Sequence, residues 1–314
     1  MSAYSGRRNL DKKIINIAGC ILIFASFIFI VKRFIALDAD WKSLVAAPIF
    51  LLLVTMPFLN VTVIFLNSYC WGRSLSLFTS RQVCNGDIFA VYAKSNLAKY
   101  LPGNIGHYAA RQMFASQIGV RQIHIALASV FEIGYSSCSM LVLSLLFSGN
   151  AVAELIGERF GGHKLIWFSA LAVIAVASLM ITGYRFRKNQ YVAEIYLLAV
   201  TPRFWITIFR SVLLFAGSTF IIGAVFVLIM CQYVPVDFER AFLLIGGCTA
   251  SYFIGFITPG VPGGIGVREA AMLLLLEPFF PGDKILLAAV IQRITMIIGD
   301  MVVFPISRLF QTDL

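Results

Sequence analysis

Long uncharged runs, separated by short charged or glycine-rich stretches, set the pattern of this chain. Runs of spanning length cover Ile14–Val31, Leu44–Cys70, Leu165–Tyr184, Ser211–Val236 and Ala241–Val267, each near or above the roughly 20 residues that a helix needs to cross a bilayer core. Two further apolar runs contain charge: Ile123–Phe147 holds Glu132, and Ile285–Ser307 holds Arg293 and Asp300. This pattern predicts an all-α polytopic membrane protein. The first run follows Arg7, Arg8, Lys12 and Lys13 and has no small-x-small cleavage site before Lys32, so it reads as an uncleaved span and not as a signal peptide.

One pentapeptide occurs twice, as Pro-Gly-Asn-Ile-Gly at Pro102–Gly106 and as Pro-Gly-Gly-Ile-Gly at Pro262–Gly266, followed by Arg111 and Arg268 respectively. The surrounding elements recur at nearly constant offsets: 167 residues from Leu44 to Ser211, 160 from Pro102 to Pro262, 162 from Ile123 to Ile285 and 151 from Ile14 to Leu165. Each half therefore reads as span, span, re-entrant helical hairpin, span. The halves are 1–148, with its hairpin at 87–119, and 165–307, with its hairpin at 241–276, within one integrated membrane domain. Six spans and two re-entrant hairpins result. Helix breakers at matching places in two halves are the sequence mark of a transporter site at the repeat interface, and non-helical backbone at membrane depth persists only where protein or an aqueous cavity surrounds it.

Charge fixes the expected orientation. The chain is 60% hydrophobic and 13% charged, with a mean hydropathy of +0.88 and a net charge of +10. Its basic residues sit in short loops, where they orient helices and meet anionic lipid instead of nucleic acid. With the N-terminus in the cytoplasm, the cytoplasmic loops collect the larger share of Lys and Arg, mainly through the N-terminus and the Arg185–Arg203 loop. This balance holds only if the two Pro-Gly segments are re-entrant, the first entering from the cytoplasm and the second from outside. The halves then have opposite orientations, as inverted repeats do.

The candidate functional residues follow from this scheme. Tyr92, Asn96 and Lys99 form a polar stripe at helical spacing on the first hairpin. Asn104, His107 and Arg111 open its returning helix, where free backbone N–H groups and the positive dipole end favour an anion and a forked guanidinium suits phosphate. Arg268 and Glu269 occupy the same place in the second half, where two adjacent charges mark a cavity or a mutual ion pair. Glu132, Arg293 and Asp300 are the remaining intramembrane charges. The 162-residue offset carries Glu132 to position 294, beside Arg293, which makes a Glu132–Arg293 contact an expectation. Tyr135, Tyr252 and Gln292 rank below these as packing residues. No catalytic set emerges: the three histidines lack metal-ligand spacing, the six cysteines are scattered, and there is no G-x-S-x-G or P-loop. Neither a metal nor a cofactor is expected.

Lys99-Tyr-Leu-Pro-Gly-Asn-Ile-Gly106 with Arg111, and Pro262-Gly-Gly-Ile-Gly-Val-Arg-Glu269, resemble the two signature stretches of the transmembrane region of lysylphosphatidylglycerol synthases and their stand-alone relatives. The resemblance spans nearly the whole chain. It implies a translocator of phospholipid or lipid-linked glycan in the cytoplasmic (inner) membrane, with Arg111, Arg268 and Glu269 as functional positions. In that family a separate soluble domain performs aminoacyl transfer; the sequence stops at Leu314, soon after its last span, so the resemblance implies that synthase activity is absent. The expected partners are an anionic phospholipid or glycolipid headgroup and membrane lipid, with a homo-oligomer or a biosynthetic enzyme as further candidates. Two alternatives stand beside transport: a non-catalytic membrane partner of a lipid or polysaccharide enzyme, and an intramembrane transferase with Glu269, Asp300 or Glu132 as base.

Overall fold

The computed structural model describes residues 47–79, 83–100, 106–160, 190–258, 264 and 266–310. The two expected spans at Ile14–Val31 and Leu165–Tyr184 fall outside the described residues, as do Asn104 and most of both Pro-Gly turns. Every described element is a helix or a short turn of one: α1 (Ala47–Phe78), α2 (Asn85–Asn96) with a tight 3-10 turn at Leu97–Tyr100, α3 (Gly106–Gln117), α4 (Gln122–Phe160), α5 (Gln190–Ala199), α6 (Pro202–Met230), α7 (Phe238–Ile257), α8 (Val267–Leu276) and α9 (Gly282–Leu309).

Among the described residues five helices contain segments long and apolar enough to cross a membrane: Phe50–Phe78, Gln122–Gly149, Pro202–Met230, Phe238–Ile257 and Gly282–Leu309. The chain is a multi-pass membrane protein. Hydroxyls on these helices are satisfied within their own helix: Thr55 donates to the Leu51 carbonyl at 2.9 Å and Thr62 to that of Phe58 at 3.3 Å, which suits a medium that offers no water. Outward faces are apolar, with Phe58, Leu146 and Phe209 all well exposed.

Helix boundaries shift from the uncharged runs for local reasons. Helix α6 begins nine residues before Ser211, because Thr201 accepts a hydrogen bond from the Phe204 N–H and Pro202 occupies the first helical turn, a strong start signal. Asp237 caps α7 in the same way through the Arg240 N–H. Helix α7 stops at Ile257, and Thr258 turns to an extended conformation (φ −80°, ψ 114°), as the residue before Pro259 is required to do. The second hairpin is therefore unequal: α7 has 20 residues and a spanning composition, whereas α8 has 10. The first hairpin is built of two 12-residue helices.

Packing repeats between the halves. Helices α2 and α3 lie against one another, as do α7 and α8; α3 packs on α4 as α8 packs on α9; α1 and α6, the equivalent helices, touch each other. Each hairpin leans on the last helix of the other half, α2 on α9 and α7 on α4. Both contacts turn on a glycine. A Cβ on Gly246 would stand 2.7 Å from the backbone nitrogen and Cβ of Ser148, and one on Gly86 would overlap the Phe310 carbonyl. Gly86 and Gly246 are 160 residues apart and Ser148 and Phe310 are 162 apart, matching the offsets of the duplicated pentapeptide and of the following helix. The duplication is thus present in side-chain packing as well as in element order.

Candidate functional site

Two breaks in otherwise helical segments create the site. At the second, Gly264 and Gly266 adopt φ of 68° and 85°, a left-handed region that side chains with a Cβ rarely enter. The Gly266 N–H donates to Glu269 Oε2 at 2.6 Å, so Glu269 folds back over the start of α8 and ties the turn to its first helical residues. At the first break the 3-10 turn presents Lys99 and Tyr100, and α3 resumes with His107 and Tyr108.

Between these breaks lies a cavity of about 480 Å³. Both hairpins line it: Asn96, Lys99 and His107 from the first, Arg268 and Glu269 from the second, with Glu132 on α4 and Arg293 on α9. Seven of the residues singled out from the sequence therefore meet around one space, although they come from positions nearly two hundred residues apart.

Charge pairing differs from expectation. The Glu132 carboxylate faces Arg111 instead of Arg293: Arg111 Nη1 donates to Glu132 Oε2, and Tyr92 Oη donates to Glu132 Oε1 at 2.7 Å. Arg293 in turn meets Glu269 Oε1 at 3.0 Å. Each pair thus joins a returning hairpin helix to the helix that follows it, α3 to α4 and α8 to α9, with the polarity reversed between halves. The geometric reason is proximity, since each hairpin's second arm packs directly on the next helix.

Arg111 does not line the cavity. It is fully buried, its Nε donates to Ser95 Oγ at 3.3 Å, and its guanidinium lies 4.0 Å from the Tyr92 ring centroid and 5.2 Å from that of Trp71. Asp300 is likewise enclosed and does not line the space. It accepts from Asn96 at 2.9 Å, from Asn60 at 3.1 Å and from Tyr100, and pairs with Lys99 at 2.6 Å. Asn60 and Tyr100 escaped the sequence reading: Asn60 lies within an uncharged run and Tyr100 within the signature stretch, and neither carries a spacing signal.

Arg268 is different. Its guanidinium stacks 4.2 Å from the Tyr252 ring centroid, and its Nε is buried without a hydrogen bond. None of the ion pairs among the described residues includes it. Two glycines make room for it: a Cβ on Gly255 would lie 2.9 Å from Arg268 Nε, and one on Gly264 2.8 Å from the same atom. His107 also lines the cavity, its Nδ1 buried without a partner and its ring centroid 3.9 Å from that of Tyr108. Among the described residues no three His, Cys, Asp or Glu side chains gather as a metal site.

A family model described as the lysylphosphatidylglycerol synthase TM region matches residues 16–303 of the chain. No curated protein and no solved structure matches it.

Proposed function

This chain belongs to the lysylphosphatidylglycerol synthase transmembrane-region family, and from that membership and its cavity we propose that it moves an anionic lipid headgroup, of a phospholipid or a lipid-linked glycan, across the cytoplasmic membrane. In this reading the protein has six spans, an N-terminus in the cytoplasm, and two re-entrant hairpins that enter from opposite faces as parts of an inverted repeat. The headgroup passes between the hairpins while the acyl chains stay in lipid.

The observation that carries the proposal is the shared cavity, lined by both hairpins and by five charged side chains. Intramembrane charge is costly and concentrates where a polar cargo must be held. The pseudo-symmetric packing, in which each hairpin leans on the other half, supports alternate exposure of such a site by rocking of one half against the other. The carboxylates favour carriage over chemistry, because the buried Glu132 and Asp300 and the half-buried Glu269 each already engage a cation and a general base needs its proton-accepting oxygen at the substrate.

The test is reconstitution of the full chain into liposomes containing fluorescent phosphatidylglycerol, with a membrane-impermeant reductant bleaching the outer leaflet. Translocation bleaches the inner-leaflet fraction faster than in protein-free vesicles; a rate no faster than in protein-free vesicles, with fluorescent phosphatidylglycerol and with a fluorescent anionic glycolipid alike, would refute the proposal.

A further inference from the structure

The two halves build the same arginine nest, and only one of them is filled from within. In the first half Arg111 stacks on Tyr92, donates its Nε to Ser95 and pairs with Glu132. In the second half Arg268 stacks on Tyr252 at nearly the same distance, 4.2 Å against 4.0 Å, and Tyr92 and Tyr252 are 160 residues apart, the offset of the duplicated pentapeptide. The same offset carries Ser95 to Gly255, which has no hydroxyl to accept from Arg268 Nε, and the 162-residue offset carries Glu132 to Ile294, which has no carboxylate. Both internal side-chain partners of the guanidinium are replaced by side chains that cannot accept a hydrogen bond, while the aromatic platform remains and an arginine reaches it from three residues nearer the pentapeptide, Arg268 lying 157 residues after Arg111.

The charges around the cavity give the same result. The charged side chains that line it, with their ion-pair partners, are Lys99, Arg111, Arg268 and Arg293 against Glu132, Glu269 and Asp300. Among the described residues three pairs form and Arg268 is left over. The sequence at 101–105 and 259–263 contains no ionisable side chain to complete the balance. Arg268 is half-buried, with its Nε enclosed and unpartnered and its side chain lining the cavity; a guanidinium partly removed from water without a counterion is disfavoured, so the site is suited to bring one in.

We propose that Arg268 holds a phosphodiester monoanion, which occupies in the second half the place that Glu132 and Ser95 fill for Arg111 in the first. The inference deepens the translocation reading and rests on it for the lipid as the phosphodiester's source. A single net negative charge completes the balance. A zwitterionic headgroup does not, and adds a cation beside Lys99 and Arg293. The planar fork of arginine recognises two phosphate oxygens at once, which lysine cannot do, and Gly255 and Gly264 position it by leaving the slot its side chain occupies.

The test measures binding apart from transport. The full-length protein in detergent is titrated calorimetrically with dihexanoyl phosphatidylglycerol, its deacylated headgroup glycerophosphoglycerol, and dihexanoyl phosphatidylcholine. The wild type should bind phosphatidylglycerol at least about tenfold more tightly than phosphatidylcholine, and Arg268→Gln should weaken phosphatidylglycerol binding at least about tenfold, the range of a lost charged hydrogen bond. Arg268→Lys, which keeps the charge and loses the fork, should fall between them and carries the test if Arg268→Gln does not fold. Tighter binding of the lipid than of glycerophosphoglycerol assigns the anion to a membrane-borne headgroup, and equal binding to the phosphodiester itself; either upholds the site if it depends on Arg268. Binding to Arg268→Gln or Arg268→Lys within about twofold of wild type, or equal affinity for the anionic and zwitterionic lipids, overturns it. Failure of flipping with Arg268-dependent binding intact would remove the translocation reading and leave the site standing.

Discussion

Lys99 Nζ and Asp300 Oδ2 lie 2.6 Å apart and join the first hairpin to the last helix. Asp300 is the centre of this junction, because Asn96 and Tyr100 of the same hairpin and Asn60 of α1 also donate to it. Four donors converge on one buried carboxylate, so its removal takes an acceptor from each and leaves Asn60 only the Met296 carbonyl.

We predict that Asp300→Ala lowers stability by about 3–5 kcal/mol, the scale for breaking a buried, hydrogen-bonded charge pair, and that Asp300→Asn, which keeps one acceptor oxygen, loses less. Lys99→Ala should have a smaller effect than either, since the Lys99 side chain is 24% exposed and solvent screens its share. Thermal unfolding in detergent orders the three variants, and an equal loss for Lys99→Ala and Asp300→Ala would show that Asp300 acts through the lysine alone.

The Arg111–Glu132 pair has a separate signature. Arg111→Met and Glu132→Leu should each destabilise by about 3–5 kcal/mol, because each leaves a buried charge uncompensated, whereas the double replacement should recover most of that loss. A double-mutant cycle read by thermal melting measures the coupling. If Arg111 instead contacted cargo, Arg111→Met would weaken lipid binding while leaving the melting temperature in place.

Gly86 and Gly246 provide the third prediction. Alanine at either position forces apart a hairpin and the helix it leans on, through the Phe310 carbonyl for Gly86 and through Ser148 for Gly246. Backbone opposes the new methyl in both cases, so each substitution should cost about 1–3 kcal/mol by overpacking, against a small stabilisation expected from helix propensity alone. A rise in melting temperature for either variant would contradict the close contact at that glycine.

Much of this architecture was legible in the chain and its contact partners were not. Uncharged runs announced α1, α6 and α7, apolar runs with isolated charges announced α4 and α9, and the Pro-Gly pentapeptides announced where α3 and α8 begin, because lipid and backbone geometry act on local sequence. The offset of 160 residues also contained the Gly86–Gly246 and Tyr92–Tyr252 relations, unnoticed because neither residue type stands out in an apolar helix. Partner choice was hidden for a different reason. Arg268 and Glu269 are neighbours in sequence, yet consecutive helical residues point about 100° apart; Glu269 reaches back to Gly266 and across to Arg293, while Arg268 turns to Tyr252. The offset that set Glu132 beside Arg293 compared equivalent positions, and equivalent positions in a two-fold arrangement need not touch.

The re-entrant path of the first hairpin yields a direct accessibility prediction. Cys84 precedes α2 and is exposed, Gln117 ends α3 and is exposed, and Cys231 follows α6 and is exposed. Between Cys84 and Gln117 the chain traverses two 12-residue helices and a break, each helix about 18 Å long at 1.5 Å per residue and so too short to cross a hydrocarbon core of about 30 Å. Cys84 and a cysteine at Gln117 therefore belong on one side of the membrane, the cytoplasmic side in the proposed orientation, and Cys231 on the other. In a background with the remaining cysteines replaced, an impermeant maleimide added to sealed right-side-out cells should label Cys231 and spare both Cys84 and Gln117→Cys, and inverted vesicles should reverse the result. Labelling of Gln117→Cys from the same face as Cys231 would make the first hairpin a single crossing segment and remove one wall of the cavity from the headgroup's path.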